Sequence, residues 1–325
     1  MATIDIDFPG PDWIIIRQAL ALALLKQAPI TIGGGAAFLE KNRDFRPIFE
    51  DIVRITAESG AGKIAVDADS IFFKPRPLGP GRFRFESDRL SSAVELLLFM
   101  MPALFHGDFR SILELGGVTH SPFSCPTAFV KETLLGALEQ AGLYGSLTLR
   151  RFGFHGSGGG SMESRLYPRE KVPGAMMFSG TAGPSISGAK IFISRLDTGL
   201  AELEKGMIAE RLGLGADRIA IIEVMESDGP GNGMQVFASY GGTPVVLYRE
   251  MKLYNEKGEL GFTEETLRGV IDDLAGETRS LMDGRLPERA LREILPYCAM
   301  TGTEPPVAGD SAGAAMTREL CARLL

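Results

Sequence analysis

The stretch RRFGFHGSGGGSMESRLYP (residues 150–168) joins two strand-like runs through a glycine-rich connection. Gly158, Gly159 and Gly160 permit positive φ angles or a close approach of two backbones, as a tight turn between strands requires. Glycine-rich loops also cradle phosphates, and arginines such as Arg151 surround this one. The stretch by itself leaves open a turn or a phosphate-binding loop, and the rest of the chain must decide.

Length and composition are those of a soluble cytoplasmic protein. The 325 residues suffice for one large domain or two ordinary ones; 45% are apolar and 23% are charged. The net charge of −7 argues against broad nucleic-acid affinity but allows a local arginine cluster. We expect no secretory signal in MATIDIDFPG and no membrane span in WIIIRQALALALL. The three cysteines (Cys125, Cys298, Cys321) lack a metal-binding spacing and are predicted to be reduced thiols.

Helical and strand-like patterns alternate along the chain, with helices predicted over Trp13–Lys26 and Thr127–Ala141, among others. A helix followed by a pair of strands recurs about every 40 residues up to residue 180, which indicates an internal structural repeat. From residue 185 the order becomes strand, helix, three strands and helix, which predicts a compact inserted module. Two further helices after Pro287 are expected to return to the first domain.

The short motifs outside this stretch predict little chemistry. ESGAGKI (residues 58–64) lacks the first glycine and the final Ser or Thr of a phosphate loop, so we interpret it as a helix C-terminal turn. His120 and His155 follow strands in glycine-rich loops, where a side chain can reach a ligand. No further ligand stands at metal-binding spacing from either histidine, so we predict no metal site.

Two stretches, in order, resemble one family. GVTHSPFSCPTAFV (residues 117–130) is similar to the GGTxxxxxPxxDY(I/L) segment of the RNA 3′-terminal phosphate cyclases. FGFHGSGGGSM (residues 152–162) resembles their glycine signature, with Phe152 in place of Arg or His and Gly156 in place of Pro. GPGN (residues 229–232) recurs in the family as well. The helix with Arg17 and the pair Arg46–Pro47 fall in register, so the resemblance extends over essentially the whole chain.

This resemblance implies both a fold and an activity. The fold would be α/β (α+β), with repeated βαβαββ units forming a main domain (residues 1–184 and 280–325) and a small inserted α/β domain (residues 185–279). The family converts an RNA 3′-phosphate to a 2′,3′-cyclic phosphate with ATP and a divalent metal. A C-terminal histidine of the family attacks the α-phosphate and forms a covalent histidine–AMP intermediate.

The chain departs from the family at the positions that carry this chemistry. The nucleophile's position corresponds to Gly313, and no histidine follows His155. The loop that supplies the metal-binding glutamate corresponds to residues 9–14, where Asp12 is the nearest carboxylate. The other changed positions are Arg292–Glu293 for an Asp–Gln pair, and Ile48 and Leu98 for two glutamines. We therefore expect no ATP or metal cofactor.

These departures decide the opening question in favour of a turn that the fold requires at Gly158, Gly159 and Gly160. We predict a cyclase-like protein that binds RNA 3′ ends or a phosphorylated small ligand without histidine adenylylation. Its predicted phosphate-binding residues are Arg17, Arg46 and Arg151. The alternative is an active enzyme of RNA 3′-end processing with His120 or His155 as its acid–base group.

Overall fold

The first βαβαββ unit forms the N-terminal sheet. The computed structural model describes residues 3–8, 10–170, 177–178, 180–253, 261–306 and 311–325. The elements of the unit are β1 (Ile4–Ile6), α1 (Trp13–Lys26), β2 (Ile30–Gly33), α2 (Gly35–Lys41), α3 (Arg46–Glu58), β3 (Gly62–Val66) and β4 (Ser70–Pro75). The strand order is β1-β2-β4-β3. The α1 crossover makes β1 and β2 parallel, and the β3–β4 hairpin adds antiparallel strands.

A second unit repeats this topology. Its elements are β5 (Arg82–Glu86), α4 (Ala93–Phe105), β6 (Ser111–Gly117), a helix ending in α5 (Leu135–Glu139), β7 (Gly145–Arg151) and β8 (Gly160–Leu166). The order β5-β6-β8-β7, with β5 parallel to β6, matches the first sheet strand for strand. The predicted fold class, an α/β (α+β) protein with repeated units, is confirmed.

The third sheet has a different topology. Its elements are β9 (Ser185–Ser194), α6 (Thr198–Leu212), β10 (Ile219–Glu223), β11 (Gly231–Tyr240), β12 (Thr243–Glu250) and α7 (Glu264–Met282). The order is β10-β9-β11-β12, with β9 and β10 parallel around α6. The division into a main domain and an insertion at residues 185–279 stays a prediction. Its second boundary falls inside α7, which continues to Met282.

Two apolar helices fill the space between the first two sheets. Helix α1 packs on β2 and β4, α4 packs on β6 and β8, and the two helices pack on each other. Asp12 caps α1 because its Oδ1 accepts from the Ile15 N–H at 3.0 Å. The C-terminal helices α8 (Glu288–Thr301) and α9 (Ala312–Leu324) pack against α1. Arg292 of α8 contacts Asp12 at the N-terminus of α1, and Gly313 at the start of α9 lies beside Arg292. The last residue, Leu325, lies at the other end of α1, where its carbonyl accepts from Lys26 Nζ at 3.2 Å.

One helix departs from its predicted form. The sequence predicts a regular helix over residues 127–141, but Phe129–Leu134 is π-helical and the α-helical part ends at Glu139. Such wide turns are rare and are frequent at functional sites. In the part of the chain that the structure describes, no helix is both long and apolar enough to cross a membrane.

Candidate functional site

A buried cluster of four charges joins α1, α4 and α8. The Arg17 guanidinium lies 2.8 Å from Glu95 Oε2 and 2.5 Å from Glu293 Oε1. Arg289 lies 2.7 Å from Glu95 Oε1 and 2.8 Å from Glu293 Oε1. Each arginine thus contacts both carboxylates, so the charge cluster (Arg17, Glu95, Arg289, Glu293) is neutral overall. The indole N–H of Trp13 also donates to Glu95 Oε2 at 2.9 Å.

Mutual attraction keeps Glu95 and Arg17 charged despite their burial. Burial raises the pKa of Glu95, but the charges of Arg289 and Arg17 outweigh it and hold the pKa below its usual range. Burial likewise lowers the pKa of Arg17, but Glu293 and Glu95 outweigh it and raise the pKa. The carboxylates of Glu95 and Glu293 therefore already have cationic partners within the protein.

A second ion pair lies beside Gly313, the residue that aligns with the family's nucleophilic histidine. Arg292 donates to both Asp12 carboxylate oxygens, at 2.6 and 2.8 Å. Burial raises the pKa of Asp12, but the hydrogen bonds and charge of Arg292 reverse the shift and lower it. A Cβ atom on Gly313 would lie 2.7 Å from Arg292 Nη1 and closer still to the Glu288 carboxylate. The space beside residue 313 is thus occupied by the Arg292 and Glu288 side chains.

The three arginines predicted to bind phosphate lie in different surroundings. Arg17 is 2% exposed and belongs to the charge cluster. Arg46 is 67% exposed and pairs with Glu50 at 2.9 Å, one turn along α3. Arg151 is 40% exposed and pairs with Asp228 at 2.6 Å. The structure thus pairs each arginine with a carboxylate, and a phosphate-binding role stays a prediction for all three.

The two candidate histidines are linked by a backbone hydrogen bond, and their rings contact different aromatic residues. The His155 N–H donates to the His120 carbonyl at 3.0 Å. The His120 ring is 2% exposed and stacks on Phe152 at 4.7 Å between centroids. The His155 ring meets Phe123 edge-on at 5.1 Å. Both residues line a cavity of about 10 Å³, the size of one water molecule.

Burial controls the protonation of both imidazoles. It lowers the pKa of His120 to about 3, so that ring is neutral at physiological pH. Burial also lowers the pKa of His155, and Lys252 acts in the same direction against the opposing effect of Asp44. A general base works best with a pKa near the working pH, so His120 is poorly matched to that role.

The glycine turn has a clear conformational basis. Gly158 has φ +67° and Gly159 has φ +70°, in the left-handed region that favours glycine. A Cβ on Gly158 would lie 2.8 Å from Arg89 Cα. A Cβ on Gly159 would overlap the Asp228 carboxylate, and one on Gly160 would lie 2.5 Å from the Gly153 nitrogen. Side chains are therefore excluded from this connection between β7 and β8.

Sequence reasoning missed a groove between the π-helical turn, β7 and the third sheet. This groove, the β9–β11 groove, has a volume of about 320 Å³. Phe152, Phe192 and Phe237 form its aromatic lining, with Lys190 and Gln235 beside them. The signal was present in the sequence, because Lys190 and Phe192, like Gln235 and Phe237, are two residues apart and share one face of a strand.

The repeated βαβαββ units define an α/β protein with two copies of one topology, and comparison with known proteins identifies the family. The family described as "RTC: RNA 3′-terminal phosphate cyclase" matches residues 14–315. The chain therefore belongs to the RNA 3′-terminal phosphate cyclase family, as the sequence motifs suggested.

Two curated relatives carry the family name. An RNA 3′-terminal phosphate cyclase of Koribacter versatilis is 26% identical over 254 residues, which cover 77% of this chain and 69% of the relative. One of Pseudomonas fluorescens is 27% identical over 220 residues, which cover 67% of this chain and 64% of the relative. A solved structure, the enolpyruvyl transferase NikO from Streptomyces tendae, covers 49% of this chain and 30% of its own at 16% identity. Its TM-score is 0.28.

Proposed function

We propose that this protein binds RNA 3′ ends, or another phosphate-bearing ligand, without forming a histidine–AMP intermediate. The observation that carries the proposal is Gly313, which supplies no nucleophile at the aligned position. The Arg292 and Glu288 side chains occupy the adjoining space. The chain has three histidines, and each lies at or before His155.

The arginine-paired carboxylates of α1, α4 and α8 do not suit a divalent metal. Asp12, Glu95 and Glu293 each contact an arginine at hydrogen-bond distance. A metal ion would have to displace guanidinium groups from these carboxylates, two of which are buried. Among the described residues, no group of three or more His, Cys, Asp or Glu side chains is arranged to hold a metal ion.

Labelling with ATP tests the loss of adenylylation. The protein is incubated with α-labelled ATP and a divalent metal, denatured and separated, beside an adenylylation-competent cyclase as positive control. We expect a labelled band in the control and none in this protein. A label that survives denaturation here would overturn the proposal.

RNA binding is tested with short oligonucleotides that end in a 3′-phosphate or a 3′-hydroxyl. We expect tighter binding of the phosphorylated RNA, and binding that weakens as salt rises, because each phosphate contact releases counterions. Arg46→Ala combined with Arg151→Ala should weaken binding, while Arg82→Ala, which removes an exposed arginine paired with Glu114, serves as control. Equal affinity for the two RNA ends would contradict phosphate recognition.

The alternative, an active enzyme of RNA 3′-end processing, has weaker support. His120 is buried and neutral, and His155 has a lowered pKa through burial. Incubation of 3′-phosphorylated RNA with the protein and ATP, followed by analysis for a 2′,3′-cyclic phosphate, separates the two functions. Cyclic product that disappears in His155→Ala would favour the enzyme.

A further inference from the structure

We propose that the β9–β11 groove binds an unpaired nucleobase of single-stranded RNA. The inference rests on the proposed function, because it names the part of the RNA that this surface would recognise. The groove lies where the third sheet meets the π-helical turn and β7, and it is distinct from the charge cluster of α1, α4 and α8.

Aromatic rings give the groove surfaces on which a base can stack. Phe152, Phe192 and Phe237 are all partly exposed and line the groove. The Phe152 and Phe192 centroids are 5.5 Å apart with planes inclined by 37°, and Phe152 is itself stacked on His120. Stacking on aromatic side chains is how proteins hold unpaired bases of any sequence.

A buried amide supplies an unused hydrogen-bonding group in the groove. Gln235 is 2% exposed, and its Oε1 has no hydrogen-bond partner among the described residues. A buried acceptor without a partner is costly, so a ligand donor is favoured there. Each of the four RNA bases presents an N–H donor on its pairing edge that could meet this oxygen, and the ribose 2′-hydroxyl is a donor as well. The aromatic rings, rather than this oxygen, therefore favour a base over the sugar.

The charge at the rim of the groove suits an anion. Lys190 Nζ lies 4.8 Å from the Phe237 centroid, and no carboxylate in the described ranges lies within ion-pair distance of it. Lys131 pairs with Glu132 at 3.3 Å. Since His120 is neutral, one positive charge is left uncompensated beside the aromatic lining. A phosphate flanking a stacked base would neutralise it, which favours RNA over an apolar peptide.

The test compares groove variants with matched controls elsewhere on the surface. Phe237→Ala removes a stacking ring and Lys190→Glu reverses the free charge. Phe72→Ala and Lys63→Glu change an exposed phenylalanine and an exposed lysine of the first sheet. Dissociation constants are measured by fluorescence anisotropy for a 3′-phosphorylated RNA hexanucleotide and for an abasic oligonucleotide with the same sugar–phosphate backbone.

We expect Phe237→Ala to lose about tenfold in affinity for the hexanucleotide, which is the range of one base–aromatic stack. Lys190→Glu should lose affinity by a similar factor because it places a negative charge beside the phosphate, and the controls should change less than about twofold. The backbone without bases should bind wild type and Phe237→Ala equally weakly. Thermal unfolding monitors folding, and Lys190→Glu, a surface change, keeps the test decisive if Phe237→Ala is unstable.

The two proposals fail in distinguishable ways. If wild type binds the hexanucleotide and both groove variants bind it equally well, the groove inference is overturned and the proposed function stands. If wild type prefers the 3′-phosphate but binds the backbone without bases as tightly as RNA, the groove inference also fails alone. If wild type binds no RNA at low salt, both the groove inference and RNA binding are overturned.

Discussion

Arg17 lies in the interior and Arg46 lies on the surface, and this difference decides what each contributes to stability. Arg17 is 2% exposed between Glu95 and Glu293. Arg46 is 67% exposed beside Glu50. Removing one partner from a buried ion pair leaves a charge with no compensation, whereas an exposed pair is screened by water. The same residue type therefore contributes more to stability in the interior than on the surface.

Replacement of Arg17 by methionine should be strongly destabilising. The variant keeps an apolar side chain but leaves the two buried carboxylates with Arg289 alone. We expect the free energy of unfolding to fall by about 3–5 kcal/mol. Arg46→Met is the control and should cost less than about 1 kcal/mol. Urea denaturation of both variants measures the difference, and similar midpoints would contradict an essential charge cluster.

Residue types and their order in the chain could be predicted, but their partners could not. The sequence identifies Arg17 as a conspicuous cation on an apolar helix. Its partner Glu293 is 276 residues away, and no local pattern links the two. The aligned position Gly313 was identified from a motif, yet the arginine that fills its space is visible only after folding. The pairing of residues far apart in the chain could therefore not be predicted from the sequence alone.

At the scale of elements, periodicity predicts the range of a helix better than its hydrogen-bonding form. The apolar pattern predicts α1 at Trp13–Lys26, the range that the structure gives. The π-helical turn at Phe129–Leu134 was not predicted. In this turn the Thr133 hydroxyl accepts from the Val246 N–H of β12 at 2.8 Å. A wide turn in contact with another sheet leaves no signal in the local sequence.

Helix α6 carries a buried acid with an unusual protonation. Burial raises the pKa of Glu204 to about 7, while a hydrogen bond from Asn232 Nδ2 at 2.9 Å acts in the opposite direction. Between about pH 4.5 and pH 7, Glu204 is therefore protonated in the folded protein and ionised in the unfolded chain, whose ordinary pKa is 4.5. The contribution of Glu204 to the free energy of unfolding is fully present below pH 4.5 and is lost as the pH rises through about 7.

Glu204→Gln should remove this pH dependence. The amide keeps a side chain of the same size and stays neutral, so the variant should be more stable than wild type above pH 7. The gain corresponds to at most about 3 kcal/mol, given 1.36 kcal/mol per pKa unit. Unfolding free energies measured from pH 5 to pH 8 test this, with Glu202→Gln, an exposed neighbour on α6, as control. A difference between wild type and Glu204→Gln that does not change with pH would contradict the assignment.

At the scale of the whole molecule, the predicted repeat is present in strand order although no repeat is legible in the residues. The two units share the order of a parallel pair followed by a hairpin, because the same crossover and hairpin rules apply to both. The packing of the third sheet on the second unit could not be predicted. It depends on contacts such as Phe129 with Tyr248, at 5.8 Å between centroids, and Gln140 with Thr243 at 2.6 Å.

Limited proteolysis tests the predicted division of the chain. The segment 181–184 is largely exposed and precedes β9, and Arg285, 62% exposed, follows α7. We expect a broad-specificity protease to cut first in residues 181–184 or 283–287, because local exposure governs cleavage. The fragments should still co-elute in gel filtration, since buried contacts such as Val246 with Thr133 join the third sheet to the second unit. First cleavage within α4, whose residues are all buried, would contradict this division, and separation of the nicked fragments would contradict the packing.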